Sequence, residues 1–217
     1  MNKYRYKILH PIREDLSPIP PYFTITFVSP FYSSEMPLII VCGVPLCGKT
    51  RRTAEIISKL ESVMSDHPWT GINLVNDENS GVAYSDYGDF NKEKEARGKI
   101  RSQAEKYVDT DSITIIDSPN YIKGFRYELW CVARAAGTNC CCVVPVGNYN
   151  ECRQRNKERS DGETYTEQQL DELITRWEEP DKNRRWESPL LPVLDEEEID
   201  VDVLISAISG KGMFNTS

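Results

Sequence analysis

Apolar and polar positions along this chain alternate between two periods. Leu38-Ile39-Ile40-Val41-Cys42 is an unbroken apolar run of the kind a strand buried on both faces shows. Beyond it, Ile56, Ile57, Leu60, Val63 and Met64 fall three and four apart, which is one face of a helix. The alternation then repeats. Gly71-Ile72-Asn73-Leu74-Val75 reads as a short strand ending at Asn76-Asp77-Glu78-Asn79, and a polar loop to Phe90 leads into a charged helix from about Asn91 to Val108. Ile113-Thr114-Ile115-Ile116-Asp117 is the next strand, and the helix near Phe125 to Ala136 is closed by Gly137 as a C-cap would be. Cys140 to Val146 is a fourth strand. Two polar helices follow, at about Tyr149–Arg159 and Glu167–Trp177, the second opened by the capping box Thr166/Gln169. Leu190 to Leu194 reads as a fifth strand and Val201 to Ile208 as a last short helix, with the acidic run Asp195 to Glu198 as its solvated start. Alternating βα units with buried strands predict an α/β domain, a mainly parallel sheet covered by helices on both faces.

Residues 1–35 stand outside this pattern. Pro11, Pro18, Pro20, Pro21 and Pro30 break helices and exclude central strands, leaving at most one short exposed strand at Tyr22–Val28. Met36 directly precedes the first core strand. The expected organisation is a flexible leader or gene-model extension over 1–35, one domain over 36–209, and a short tail over 210–217.

The connection between the first strand and the first helix carries the chemistry. Gly43-Val44-Pro45-Leu46-Cys47-Gly48-Lys49-Thr50 spells G-x-x-x-x-G-K-[ST] between an apolar strand and a helix, the P-loop of nucleotide-binding proteins. Backbone N–H groups and the helix N-terminus face the anion, Lys49 reaches the outer phosphates, and the Thr50 hydroxyl ligates Mg²⁺. A Gly-rich turn before an ordinary helix would need neither the lysine nor the threonine. The loop therefore predicts a P-loop NTPase that binds a nucleoside triphosphate.

A bound triphosphate needs a second metal anchor, and in this fold an Asp ending a neighbouring apolar strand supplies it. Asp117 has that place, although a strand-end Asp can also cap the next turn. Asp77 ends the preceding strand and would point into the same crevice. There it could orient a water, accept a substrate proton, hold Mg²⁺ through water, or serve as a plain turn residue. Arg153, Arg155 and Arg159 lie on the polar helix after the fourth strand, where a helical lid carrying transition-state arginines would fold over; three cations in seven residues also fit a solvated face.

Composition narrows the setting. With 217 residues, 39% of them hydrophobic and 28% charged, the chain suits one large globular domain with a proper core. A net charge of −8 argues against general nucleic-acid coating, though basic residues recur locally at Arg97, Lys99 and Arg101 and at Lys182, Arg184 and Arg185. No apolar run approaches a membrane span and no signal core opens the chain, so the expected location is the cytoplasm or nucleus. The seven cysteines have no C-x-x-C spacing and indicate neither a disulfide framework nor a zinc site. Cys140 to Cys142 read as small buried strand residues. Cys47, beside a helix N-terminus, is where a lowered thiol pKa would be expected. His10 and His67 have no partner cluster.

The segment Asp117-Ser118-Pro119-Asn120-Tyr121-Ile122-Lys123-Gly124-Phe125-Arg126-Tyr127-Glu128-Leu129 resembles the signature D-S-L-N-Y-I-K-G-x-R-Y-E-L of the killer-toxin-insensitivity family, with Pro119 in place of Leu. These are P-loop ATPases that act with Elongator in wobble-uridine modification of tRNA. Gly43 to Thr50 resembles the family's G-x-P-x-S-G-K-T with Cys47 replacing Ser, and Glu93, Lys94 and Arg97 match its E-K-x-x-R. Arg176-Trp177-Glu178-Glu179-Pro180, then Arg185-Trp186 and Ser188-Pro189-Leu190, resemble its R-[FY]-E-x-P…R-W-x-x-P-L ending. The resemblance covers Met36 to about Val193. A more distant likeness is to the L-seryl-tRNA(Sec) kinases, which share the core and the lid. What the resemblance implies is an ATP- and Mg²⁺-dependent regulatory ATPase with Elongator as partner. The alternatives are a kinase of the seryl-tRNA type and a non-catalytic nucleotide-binding isoform. Family members continue into a helical C-terminal tRNA-binding domain. This chain ends at Ser217 with little beyond a last helix, which implies weak, salt-sensitive tRNA binding.

Overall fold

Leu38–Val41 (β1) sits at the centre of a five-stranded parallel sheet, between Ile113–Asp117 (β3) and Cys140–Val146 (β4). Ile72–Asn76 (β2) pairs with the far side of β3 and Leu190–Leu194 (β5) with the far side of β4, giving the order β2-β3-β1-β4-β5. The computed structural model describes residues 37–160 and 164–209. The leader expected over 1–35, its strand at Tyr22–Val28 and the tail over 210–217 lie outside the described residues.

The unbroken apolar strands are explained by helices on both faces. Leu38 and Ile40 of β1 and Cys140 and Cys142 of β4 pack with Ile100 and Ala104 of Phe90–Tyr107 (α2) and with Phe125, Leu129 and Val132 of Lys123–Ala135 (α3). Their alternate neighbours Ile39, Val41, Cys141 and Val143 face the other way, onto Ile56 and Leu60 of Lys49–Val63 (α1) and Leu204 and Ile208 of Val201–Ile208 (α6). Period-two alternation thus sends successive side chains into two separate apolar layers. The cysteines of β4 are interior packing residues, and burial raises the thiol pKa of both Cys140 and Cys141, the latter to about 12.

Element ends fall within two residues of those predicted, and the shifts have local causes. α2 begins at Phe90 because the Asp89 carboxylate accepts from the amides of Asn91 and Lys92. The loop before it contains a 3-10 turn at Tyr84–Gly88. Gly137, at φ 72°, follows the α3 C-cap in the left-handed conformation. Tyr149–Lys157 (α4) and Glu167–Thr175 (α5) make the lid, and the Thr166/Gln169 capping box is formed at the start of α5. One reading is corrected. Asp195 to Glu198 do not begin a helix: α6 starts at Val201, capped by Asp200, and Asp195 is held by arginines.

Candidate functional site

The chain leaves β1 in the middle of the sheet and sends its next strands to one side and its last to the other, so β1 borders the switch point where α/β sheets form a crevice. Pro45, Leu46, Gly48, Lys49 and Thr50 of the 43–50 loop line that crevice, while Gly43, Val44 and Cys47 lie buried behind them. Gly43 donates its amide to the Pro119 carbonyl at 3.1 Å, fastening the loop to the segment after β3. Its φ is 157°, and a Cβ there would meet Cys47 Sγ at 2.7 Å, so no larger residue fits. Gly48, at φ 92°, is the left-handed N-cap of α1, followed directly by right-handed Lys49. That alternation turns successive amides toward one concavity, an anion nest at a helix N-terminus.

Lys49 is almost enclosed, at 8% exposure, and its ammonium donates to the carbonyls of Val44 at 2.7 Å and Gly43 at 3.2 Å. Two neutral carbonyls spread around a buried ammonium make a charge-assisted but incomplete solvation shell. Lys49 and Thr50 open onto a cavity of about 830 Å³ that Asp77, Asp117, Arg155 and Arg159 also line. Most of the site residues expected from sequence therefore line one cavity; Gly43, Val44 and Cys47 support it from behind, and Arg153 stands apart from it.

The two carboxylates reach the crevice from adjacent strands. Asp117 ends β3 in register with Asn76, and Asp77 follows one residue later. Burial pushes the Asp117 carboxyl above the usual carboxylate range, with the Lys49 ammonium and the Thr50 and Thr53 hydroxyls pulling the other way. Burial likewise raises Asp77, opposed by hydrogen bonds from Ser118 and Tyr87, while the Asp117 charge adds to the rise. Tyr87 donates to Asp77 Oδ2 at 2.9 Å, and Asp77 Oδ1 is buried without a hydrogen-bond partner. Oxygen donors of this hardness, with one lacking a partner, fit a small divalent cation held partly by phosphate oxygens.

The lid arginines divide. Arg155 donates to the Leu46 carbonyl of the loop at 3.1 Å and to Asp195 Oδ2 at 2.6 Å. Arg159 donates to the Tyr84 hydroxyl at 2.7 Å on the far wall, with its guanidinium 5.6 Å from that ring. Arg153, the exception, pairs with Asp171 of α5 at 2.8 Å and does not line the cavity. Positions 153 and 155 are about 200° apart on a helix, so both cannot face the crevice. The lid is seated on the loop through an apolar cluster of Val44, Cys47 and Cys152, with Leu46, Ile174 and Trp177 against it. Cys47 is 2% exposed there and acts as a packing residue.

Behind the crevice, the unusual motifs resolve into two networks. Arg126, fully buried, donates to Glu187 Oε1 from Nε at 2.9 Å and Nη2 at 2.6 Å, to the Asn120 carbonyl at 2.9 Å, and to the Glu178 carbonyl at 2.7 Å. Glu93 accepts from Arg97, from the Tyr121 hydroxyl, and from Arg176 at 2.8 Å. Asn120, at φ 48°, donates to the carbonyls of Val41 at 2.8 Å and Ile116 at 3.3 Å, pinning the ends of β1 and β3 together.

Sequence reasoning missed Tyr84 and Tyr165, which line the cavity, Tyr87, which holds Asp77, and Asp195. The tyrosines carry no periodic signal. Asp195 carried one: it follows the apolar strand β5 just as Asp117 ends β3. It accepts from Arg51 at 2.5 Å as well as Arg155, while Arg52 reaches its carbonyl at 2.9 Å, so the turn after β5 binds the start of α1 to the lid.

Comparison with known proteins agrees with this architecture. The family described as Chromatin associated protein KTI12 matches residues 36–216. The Protein KTI12 homolog of Danio rerio is 38% identical over 174 residues, covering 80% of this chain and 62% of that protein. The chain spans 51–62% of the length of several such relatives. Among solved structures, Chaetomium thermophilum Kti12 in complex with ADP-AlF3 superposes with a TM-score of 0.72 at 31% identity, over 79% of this chain and 99% of that one. The Mycobacterium tuberculosis APS kinase CysC in complex with AMPPNP and APS shares the fold alone, with a TM-score of 0.54 at 12% identity, over 80% of this chain and 97% of that one.

Proposed function

The chain belongs to the KTI12 family, and from the geometry of its crevice we propose that it binds ATP with Mg²⁺ and hydrolyses it as a regulatory factor of Elongator-dependent tRNA wobble-uridine modification. One observation carries the reading: the left-handed Gly48 nest, the enclosed Lys49 ammonium and the raised carboxyls of Asp77 and Asp117 meet in one cavity. The Kti12 structure bound to ADP-AlF3 supports it by likeness.

The amides of residues 43–48 and the Lys49 ammonium would take the β- and γ-phosphate oxygens, with Lys49 exchanging its loop carbonyls for anionic partners. Mg²⁺, held by the Thr50 hydroxyl and Asp117 together with phosphate oxygens, would neutralise charge on the leaving group. Asp77 accepts a hydrogen bond from the attacking water and aims it as the β–γ bridging bond breaks. Arg155, already resting on the loop, and Arg159 complement the transition-state charge. Arg153 has no part in this step. Replacing Lys49 by Ala should weaken ATP binding on the order of 100-fold, since two charge-assisted contacts are lost, with the fold retained. Titration of a labelled ATP analogue with a circular-dichroism control checks this, and wild-type affinity in the folded variant would refute the phosphate cradle.

A second reading, phosphoryl transfer to a hydroxyl, is favoured by the room past Asp77, where Val82, Tyr84 and Tyr165 extend the cavity. Release of γ-labelled phosphate to water, against its retention on seryl-tRNA, separates the two. Direct tRNA contact by this chain should be weak and salt-sensitive, because Arg97, Arg101 and Arg184 already pair with acids.

A further inference from the structure

At the opposite end of the sheet lies a cavity of about 240 Å³ between the C-terminal turn of α3, the start of β4 and the segment before β5. β4 places about 20 Å of strand between it and the crevice. Trp130, Arg134, Thr138, Asn139, Arg185 and Ser188 line it together with small apolar atoms, and no carboxylate does.

The charge pattern sets it apart. Nine arginines among the described residues pair with a carboxylate: Arg51, Arg52, Arg97, Arg101, Arg126, Arg153, Arg155, Arg176 and Arg184. Arg134 and Arg185 have no such partner among the described residues, and both line this one cavity. Both are exposed at its mouth, so the cavity carries two guanidiniums and no acid in a chain with 34 acids to 26 basic residues. The Arg185 guanidinium lies 5.2 Å from the centre of the Trp130 ring, which Tyr127 stacks at 5.8 Å.

An independent observation concerns the cavity's inner wall. Thr138 is 1% exposed and its Oγ1 has no hydrogen-bond partner; Asn139 Nδ2 is likewise buried and unpartnered. Each such group costs stability in the free protein. The amides of Ala136, Gly137 and Thr138 take up the carbonyls of Val132, Arg134 and Ala133 at the α3 terminus, and the two guanidiniums outweigh what is left of its partial negative charge.

We infer that this cavity is a second ligand site, for a small oxyanion (a phosphate or carboxylate head) with a flat body lying against Trp130. Arg134 and Arg185 neutralise the head, the indole supplies a face for the ring, and a small movement of the inner wall lets Thr138 Oγ1 and Asn139 Nδ2, which have almost no accessible surface in the free protein, turn to its oxygens. The site is separate from the nucleotide crevice and does not depend on how that crevice is used.

The test titrates phenyl phosphate, benzoate and inorganic phosphate into the protein carrying Lys49→Ala, which silences the crevice, and follows the indole resonances of Trp130 and Trp186 by ¹⁵N NMR. Phenyl phosphate or benzoate should shift Trp130 more than inorganic phosphate does, and the stronger of the two identifies the head group. Arg134→Gln or Arg185→Gln should weaken binding about tenfold, one charge-assisted hydrogen bond. Thr138→Val distinguishes ligand from packing: it should raise the melting temperature of the free protein while reducing the shift that phenyl phosphate induces. No Trp130 response at 10-millimolar-scale ligand, an undiminished response in the double Arg134→Gln/Arg185→Gln variant, or a response only to RNA would overturn the proposal.

Discussion

Two groups of charges in neighbouring parts of this molecule are treated in opposite ways. In the buried network behind the crevice, Arg126 has every donor nitrogen engaged, and Glu187 accepts a further bond from the Asp181 amide at 3.1 Å. At the crevice, Lys49 rests on neutral carbonyls, Asp77 keeps an oxygen without a partner, and both carboxyls are pushed up by burial. Saturated charge holds shape, whereas unsaturated charge is free to act on something else. Asp117 and Arg126 belong to one continuous motif, yet the first faces the cavity and the second anchors the 178–187 segment beneath it.

The most severe way to break this comparison is to remove one half of the saturated pair. Arg126→Ala should cost about 3–5 kcal/mol by leaving Glu187 buried and alone. In a domain of this size that lowers the melting temperature by roughly 10 °C, measurable by calorimetry. Arg126→Met with Glu187→Leu should recover most of it, since no uncompensated charge remains.

The unsaturated side should respond with the other sign. Asp117→Asn should slow hydrolysis on the order of 100-fold, by phosphate-release assay, and yet stabilise the free protein at neutral pH. The folded pKa of Asp117, like that of Asp77, lies above the ordinary value of 3.8. As pH rises from that value through the folded pKa, the unfolded chain has released a proton that the native protein retains, so native stability falls. The asparagine variant escapes that loss. Its stability advantage should be absent below about pH 3 and present at neutrality, in urea titrations across that range; equal stability at every pH would show that the carboxylate is not strained.

Tyr87→Phe tests the hold on Asp77 more gently. Loss of one hydrogen bond to a carboxylate should cost roughly tenfold in turnover and raise the pKa of Asp77 further, displacing the acid limb of the pH–rate profile upward. A purely structural tyrosine would leave that limb in place. The smallest contrast lies within the lid. Arg153→Ala should change stability by less than about 1 kcal/mol and leave hydrolysis intact, as expected for an exposed pair, while Arg155→Ala should slow the reaction.

Much of this molecule was legible in its residues. β3, β4, β5 and α6 fall where the apolar runs put them, and the P-loop was evident because strand, glycines, lysine and threonine are contiguous, so local geometry and chemistry share one stretch of chain. Asp117 and Asp77 could be placed at the crevice because a parallel strand delivers its last residue to the carboxyl edge of the sheet. Side-chain direction could not be placed in the same way: Arg153 and Arg155 are equivalent as letters, and only the docking of α4 turns one inward. Asp195 read as part of a solvated acidic run because its partners Arg51 and Arg155 are 144 and 40 positions away. Cys47 became a packing residue only when α4 and α5 covered it. Periodicity and contiguous motifs therefore determined the elements, their order and the phosphate loop. The saturation of each charge depended on contacts across long sequence separations, and those exist only once the sheet has brought its edges together.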